Sequence, residues 1–374
     1  MPDKHAFLSA SASHRWINCP PSAQLCADLK DTGSEYARQG TDAHALCEYK
    51  VLAALSADCT DPTEDLEFFD KEMDACTDEY RNYILEQYEE AKRCCKDPLI
   101  LVEQRLDFSR WVPEGFGTGD CLIVADDVLH IIDMKYGLGI LVEAEDNPQM
   151  RCYALGALDT YDGIYDIKTV KMTIFQPRRD NISTSTMSKE ELLSWAENVL
   201  SPASKLAYEG GGEFHAGSHC QFCKVKATCR KRAEHNLEMA KYDFQMPDTL
   251  EAHEIAAILP RIDDLIAWGN DIKEYALTQA LSGTEYSGYK VVEGRSTRRY
   301  TDDTAVASVI TDAGYDPYEK KLLGITAMTS LLGKKKFEKL LGGLIAKPPG
   351  KPTLVPETDK RPALNTAKDD FSEE

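Results

Sequence analysis

Two groups of residues in this chain have types and spacings suited to chemistry. The first is Asp120, followed by Asp133-Met134-Lys135. Two carboxylates brought close together invite a divalent cation. A lysine beside them offers a positioned charge or a proton-transfer group for hydrolysis. The second group is Cys220-Gln221-Phe222-Cys223, with Cys229 six positions further on. A CxxC turn lets two thiolates face one ion or cluster, and a third cysteine helps to close the site. Three cysteines leave one coordination position to fill, and His215 and His219 beside the turn keep zinc open as the ion.

These residues need a scaffold, and the flanking sequence supplies one. Residues 118–125 and 128–135 are short β-branched runs separated by Asp126-Asp127, which reads as a hairpin. Alternation along the second strand places Leu129, Ile131, Asp133 and Lys135 on one face. Asp120 then stands opposite Asp133. An apolar strand that ends in a carboxylate and an ammonium group is costly unless these pair or hold an ion. Asn147 is suited to cap a helix and Pro148 to its first position, so residues 149–159 are expected to be helical, with Gln149 and Tyr153 on one face.

These residues, taken in order, resemble the RecB-like branch of the PD-(D/E)XK nuclease superfamily. The resemblance rests on Gly40-x-x-x-His44, a strand glutamate at Glu103, Gly117-x-x-Asp120, Asp133-x-Lys135 and Gln149-x-x-x-Tyr153, and it covers roughly residues 5–232. It is greatest toward the iron-sulfur members, such as the CRISPR-associated adaptation exonuclease and exonuclease V, and toward an uncharacterised phage-encoded family. The resemblance implies a restriction-endonuclease-like α/β core, a mixed central sheet flanked by helices. It implies that Asp120, Asp133, the Met134 carbonyl and His44 hold Mg2+ or Mn2+, with His44 reaching the metal from the helix side. On spacing alone, a lone histidine on such a helix is more often a satisfied core or surface group. Lys135 would position the attacking water, and Gln149 and Tyr153 would orient the site or the scissile strand. Glu103 either orients a metal-bound water or simply pairs with Arg105. The resemblance also gives Cys19 the place of the first cluster cysteine, joining Cys220, Cys223 and Cys229 in a 4Fe-4S site, with zinc as the alternative. By itself, a cysteine before a proline is usually only a buried thiol.

The bulk properties limit the remaining possibilities. A chain of 374 residues exceeds one average domain. The expected division is a nuclease domain over 1–240, a helical accessory module over 245–345 and a flexible or extended tail over 346–374. No apolar run reaches the length of a membrane span and no signal pattern opens the chain, so a cytoplasmic protein without a membrane partner is expected. In that compartment twelve cysteines argue for metal binding or burial rather than a disulfide framework. The net charge of -20 excludes a protein that coats nucleic acid indiscriminately, but it does not exclude a local basic groove. Basic runs occur at Arg178-Arg179, 224–232, 295–299 and 334–339. The two arginines at 178 and 179 could contact phosphate or serve only solubility.

Elsewhere, helices are expected over 36–55, 67–92, 188–208 (opened by a Ser188/Glu191 capping box) and 250–281, the last kinked or broken at Pro260. Further helices are expected from Thr301 and, as a pair broken at Gly333, over 322–345. Strands are expected over 99–108, 168–176 and, briefly, 289–293.

The function expected from these residues is a Mg2+- or Mn2+-dependent deoxyribonuclease, an exonuclease on single strands or DNA ends. Phage or mobile-element replication and recombination proteins are its expected partners. The alternative is a catalytically silent nucleic-acid-binding module with a structural Fe-S or zinc site. A redox or iron sensor would rest on the cysteines alone.

Overall fold

The Asp126-Asp127 hairpin forms at the centre of a five-stranded sheet. The computed structural model describes residues 6–29, 35–238, 251–293, 300–318 and 322–346. Four helices precede the sheet: α1 (Ser13–Asn18), α2 (Ser22–Leu25), α3 (Glu35–Ala54) and α4 (Lys71–Cys94). The strands are β1 (Leu99–Asp107), β2 (Phe116–Ala125), β3 (Val128–Met134), β4 (Thr169–Gln176) and β5 (Asn181–Ser188), adjacent in that order. β1, β2 and β3 pair antiparallel in turn, β4 lies parallel to β3, and β5 is antiparallel to β4. A parallel pair needs a crossover, which α5 (Pro148–Tyr161) supplies.

The sheet separates two apolar layers. On one face Leu122, Val124, Leu129 and Ile131 pack against Met150, Ala154 and Leu158 of α5. On the other, Cys121, Ile123, Ile132 and Met134 pack against Leu46 and Val51 of α3 and Tyr80 and Ile84 of α4. The result is a mixed α/β sheet flanked by helices. Caps fix the helix starts: the Asn147 side chain accepts from the N–H groups of Gln149 and Met150, and Asp70 accepts from Met73. That second cap starts α4 later than the acidic run suggests. The Ser188/Glu191 capping box opens α6 (Lys189–Trp195), which continues through a π turn at Ala196–Leu200 into α7 (Ser201–Glu209).

Three expectations change. The polar run 181–188 is a strand, β5, at the sheet edge. It has no apolar alternation to reveal it, and backbone pairing to β4 with a Thr173–Thr184 hydroxyl contact of 3.0 Å holds it. After α8 (Arg230–Leu237), α9 (Ala252–Leu281) is one helix that includes Pro260, so of the kink and the break expected there the break does not form. Pro260 and Ala256 are both exposed, so the carbonyl left without a donor faces water. Residues 289–293 are irregular and exposed, with no partner strand among the described residues.

Residues 1–276 form one compact unit and 277–374 a second. The second contains α10 (Asp303–Asp312), α11 (Ile325–Leu332) and α12 (Lys334–Leu341), and Gly333 at φ 73° separates the last two. The basic run 295–299 and the tail from 347 lie outside the described residues. Among the described residues no helix is long and apolar enough to cross a membrane.

One close approach holds α5 to the sheet. A Cβ on Gly156 would sit 3.0 Å from Leu106 Cβ and 3.2 Å from the backbone N and O of Asp107, atoms that cannot swing aside. Gly156→Val should therefore destabilise the protein by about 1–3 kcal/mol, read as a lower urea midpoint at unchanged slope. An unchanged midpoint would show that α5 is free to ride up.

Candidate active site

The sheet register brings three carboxylates into one row. β2 pairs with β3 at Cys121↔Ile132, and one step further sets Asp120 across from Asp133. β1 pairs with β2 at Val102↔Cys121 and Gln104↔Gly119, which brackets Glu103 across from Asp120. Strict alternation fails at this row. Gly119 and Leu122 both abut the α5-side core, so Asp120 and Cys121, between them, both turn toward α3. On β1 the matching irregularity is Glu103 at φ 49°, a conformation that costs a glutamate roughly 1–3 kcal/mol.

The irregularity carries Asp120 to His44 on α3. Asp120 Oδ1 is 3.3 Å from His44 Nδ1, and its Oδ2 accepts from the Met134 N–H at 2.7 Å. One donor atom each from His44, Glu103 and Asp120 lie within 4.8 Å of one another. Asp133 belongs to the α5 side. Its Oδ1 accepts from Gln149 Nε2 at 3.2 Å, and the same Nε2 lies 3.1 Å from the Tyr153 hydroxyl. Asp133 Oδ2 is 2.7 Å from Lys135 Nζ, yet it is fully enclosed and has no aligned hydrogen-bond donor. The Lys135 contact is thus ionic, and this oxygen keeps lone pairs to spare. The Lys135 N–H donates to the Phe175 carbonyl at 2.8 Å, which fixes the residue's backbone on β4.

Every sequence-expected residue of this group meets another of them. Glu103 joins His44 and Asp120, whereas Arg105 stacks on Phe116 at 4.1 Å. Gly117 makes room for Tyr153, because a Cβ there would stand 2.8 Å from the ring. Gly40 shows no such reason; a Cβ there would meet open space. Arg178 is occupied by a bidentate pair with Glu72, both contacts 3.1 Å, over the Tyr136 ring.

Buried charges pull the titrations apart. The Asp120 carboxylate raises His44 to about 9, against the opposing effect of burial. Burial and then the Asp120 charge push Glu103 up to about 7. Burial pushes Asp120 upward too, but His44, Lys135 and the Met134 N–H outweigh it and hold the group below its usual range. Asp133 is raised, by burial first, with the Lys135 charge opposing and Asp120 adding to it. Lys135 is raised because the attraction of Asp133 and Asp120 exceeds its desolvation. His44, Glu103 and Asp120 thus form an oxygen- and nitrogen-bearing donor set compatible with a divalent cation, and Asp133, with its enclosed, underused oxygen, stands outside that close group.

The cysteines form a second centre. Cys19, at the end of α1, lines one cavity with Cys220, Cys223 and Cys229, beside Arg15 and Arg232. All four are free thiols, and all but the half-buried Cys229 are buried. Sequence reading missed Cys26, whose sulfur is 3.8 Å from that of Cys223. The signal was its position at the end of the next short helix after Cys19. A hydrogen bond from Cys223 favours the thiolate at Cys26, with the Arg15 charge helping and burial opposing. Four thiolates on one tetrahedral zinc stand roughly 3.8 Å apart. No three of these donors come within 4.8 Å of one another, and His219 Nε2 is 2.9 Å from the His215 carbonyl.

A family model described as a protein of unknown function, DUF2800, matches residues 5–362, and the chain belongs to that family. Among solved structures, an exonuclease candidate from Eubacterium rectale is 11% identical at a TM-score of 0.33, covering 67% of this chain and 92% of its own. The protein SSO0001 is 8% identical at a TM-score of 0.21, covering 59% of this chain and 96% of its own. Scores this low carry no weight for fold or chemistry.

Ligation needs a neutral imidazole and an ionised carboxylate, so a bound cation must displace protons from His44 and Glu103. Mn2+ affinity measured by titration calorimetry should therefore rise with pH through about 7, continue rising to about 9 and then level. In the metal-free protein the sign reverses. A histidine raised from 6.5 to about 9 contributes its full stabilisation below about 6.5 and loses it as pH rises through about 9. Affinity that is flat across this range would remove His44 and Glu103 from the metal site.

Proposed function

We propose that this DUF2800 chain is a Mg2+- or Mn2+-dependent deoxyribonuclease of the RecB-like PD-(D/E)XK type. It acts as an exonuclease on single strands or DNA ends, alongside phage or mobile-element replication and recombination proteins. The observation that carries the reading is the juxtaposition of Asp120, Asp133 and Lys135 at the β2–β3 end, with His44 and Glu103 on one side and Gln149 and Tyr153 on the other.

His44, Glu103, Asp120 and Asp133, with the Met134 carbonyl, would hold the ion. When bound, the ion supplies Lewis-acid stabilisation of charge developing on the phosphate and makes water a stronger nucleophile. The chain's own part is positional and electrostatic. Lys135, anchored by its backbone to β4, holds a positive charge 2.7 Å from Asp133 Oδ2, where it orients a water and steadies negative charge. Gln149 fixes the Asp133 carboxylate through Oδ1 and is itself fixed by Tyr153. His44 carries a proton at neutral pH in the empty site and yields it on ligation.

For the second centre, we infer a 4Fe-4S cluster on Cys19, Cys220, Cys223 and Cys229. What supports the reading is that the four cysteines, one early and three late in the chain, line one cavity. Arg15 and Arg232 on the cavity wall offset the charge of thiolate ligands.

End-labelled single- and double-stranded DNA, digested with Mg2+ or Mn2+ by protein purified without oxygen, tests the reading. Asp133→Ala should abolish cleavage with the fold kept. Lys135→Ala should lose about a hundredfold or more while still binding Mn2+. Undiminished cleavage by Asp133→Ala would sink the assignment. The same wild-type preparation should contain iron and absorb broadly in the visible, and Cys223→Ala should be colourless and less stable. A colourless wild type with one zinc per chain would transfer the four thiols to zinc.

A further inference from the structure

The loop between Lys135 and α5 has a shape that cleavage alone does not require. Its two ends are set by residues that touch Asp133: Lys135 precedes it and Gln149 follows it. Between them Leu138, Ile140 and Leu141 are 47%, 40% and 49% exposed. Three aliphatic side chains in water beside a polar site would normally collapse into a core, and the backbone prevents it. Gln176, 1% exposed, directs both ends of its amide at this loop, its Oε1 also accepting from Asn181 Nδ2 of β5 at 3.4 Å. Its Nε2 donates to the carbonyls of Gly137 (3.1 Å) and Ile140 (2.7 Å), and its Oε1 accepts from Val142 N–H at 3.2 Å. Asn181 Nδ2 donates to the Val142 carbonyl at 2.9 Å, Ser183 Oγ accepts from Ala144 N–H at 2.9 Å, and Arg179 donates to the Leu138 carbonyl. The loop is a rigid rim that displays apolar side chains.

We propose that this rim is a wedge for nucleobases: Leu138, Ile140 and Leu141 stack against the terminal base pair of a DNA end and part it, sending one strand toward Asp133. The inference deepens the nuclease reading and rests on it. Charge argues for bases as the occupant. The loop continues into the exposed carboxylates of Glu143 and Glu145, which disfavour a phosphate backbone there and leave the uncharged tip to meet the bases, while Asp146 is paired with Arg151 at 2.5 Å. Arg179 is exposed, has no carboxylate partner among the ion pairs of the described residues and sits against Leu138, where it can hold the phosphate of the parted strand. Inserted aliphatic side chains unstack base steps in this manner. The three wedge residues carry aliphatic side chains that cannot ligate a cation or move a proton, so they set substrate form and not the hydrolytic step.

The test uses the full chain with Mn2+ and two substrates of one sequence, a blunt duplex and its labelled single strand. Leu138→Ser, Ile140→Ser and Leu141→Ser together should lower duplex-end cleavage at least about tenfold and leave single-strand cleavage within about twofold. A duplex carrying 2-aminopurine at its terminal pair, held with Ca2+ in place of Mn2+, should brighten with wild type and stay dark with the triple variant. Equal loss on both substrates, or loss on neither, overturns the wedge while the nuclease reading stands. Wild type that cleaves neither substrate overturns both, and a variant that fails to fold is replaced by Arg179→Gln, which should weaken duplex-end cleavage selectively by the same logic. Loss of a protein partner with both DNA activities intact would assign the rim to that partner instead.

Discussion

A carboxylate with only 2% of its side chain exposed cannot remain ionised in the floor of a sheet unless other groups hold it there, and Asp133 is such a group. An isolated charge taken out of water loses several kcal/mol, more than any one surface ion pair returns. Lys135 answers from the same strand, two residues on, because alternation returns the side chain to the same face. Gln149 answers from α5, which must therefore lie against β3 at a fixed rotation. The Asn147 cap sets where that helix begins, and Gly117 and Gly156 let it approach the sheet closely. Much of the α5 face of the molecule follows from giving one buried carboxylate its partners.

The other face follows from Asp120. Regular alternation would leave it beside Leu122 on the α5 side, too far from α3 to meet His44. The doubled residue at Asp120-Cys121, matched by the left-handed backbone at Glu103, turns both carboxylates across the sheet. This explains why the site was only partly legible in the sequence. Asp133, Lys135, Gln149 and Tyr153 were readable because strand and helix periods, plus a visible cap, fix them. The hairpin, the α5 crossover and most helices were readable for the same reason. The Glu103 conformation has no local signature, since glutamate carries no preference for positive φ. β5 was missed because an edge strand held by its backbone needs no apolar pattern, and Cys26 because two short helices fold it back to a loop nearly two hundred residues away.

The cysteine centre shows where long-range order originates in this unit. Arg232, 2% exposed, donates to Asp271 at 2.5 Å and to Asp264 at 3.3 Å, and Lys226 reaches Asp271 at 2.7 Å. These contacts carry α9 onto the cysteine loop. Exposed ion pairs contribute roughly 0–1 kcal/mol, whereas leaving this buried guanidinium without a partner would cost several times that. Asp271 and Asp264 are therefore conditions for burying Arg232 beside the thiols, and α9 through Asp271 belongs to the architecture of that cavity.

The acidity of the chain has a structural use that removes its conflict with an anionic ligand. α4 carries several acidic groups, and three of them, Glu72, Asp74 and Asp78, face cations from neighbouring elements. Lys50 on α3, only 10% exposed, lies 2.7 Å from Asp74 and 2.8 Å from Asp78, and Arg178 beyond β4 is gripped by Glu72. Lys50 stands less than two helical turns from His44, so these pairs hold the helix whose imidazole completes the site. The apolar layer of Leu46, Val51, Tyr80 and Ile84 holds α3 to α4, and these pairs add to it at the turn next to His44. Part of the net charge of -20 thus serves to pair α4 with cations of α3 and of the turn after β4, and at the β2–β3 end Lys135 and His44 offset the carboxylates they touch.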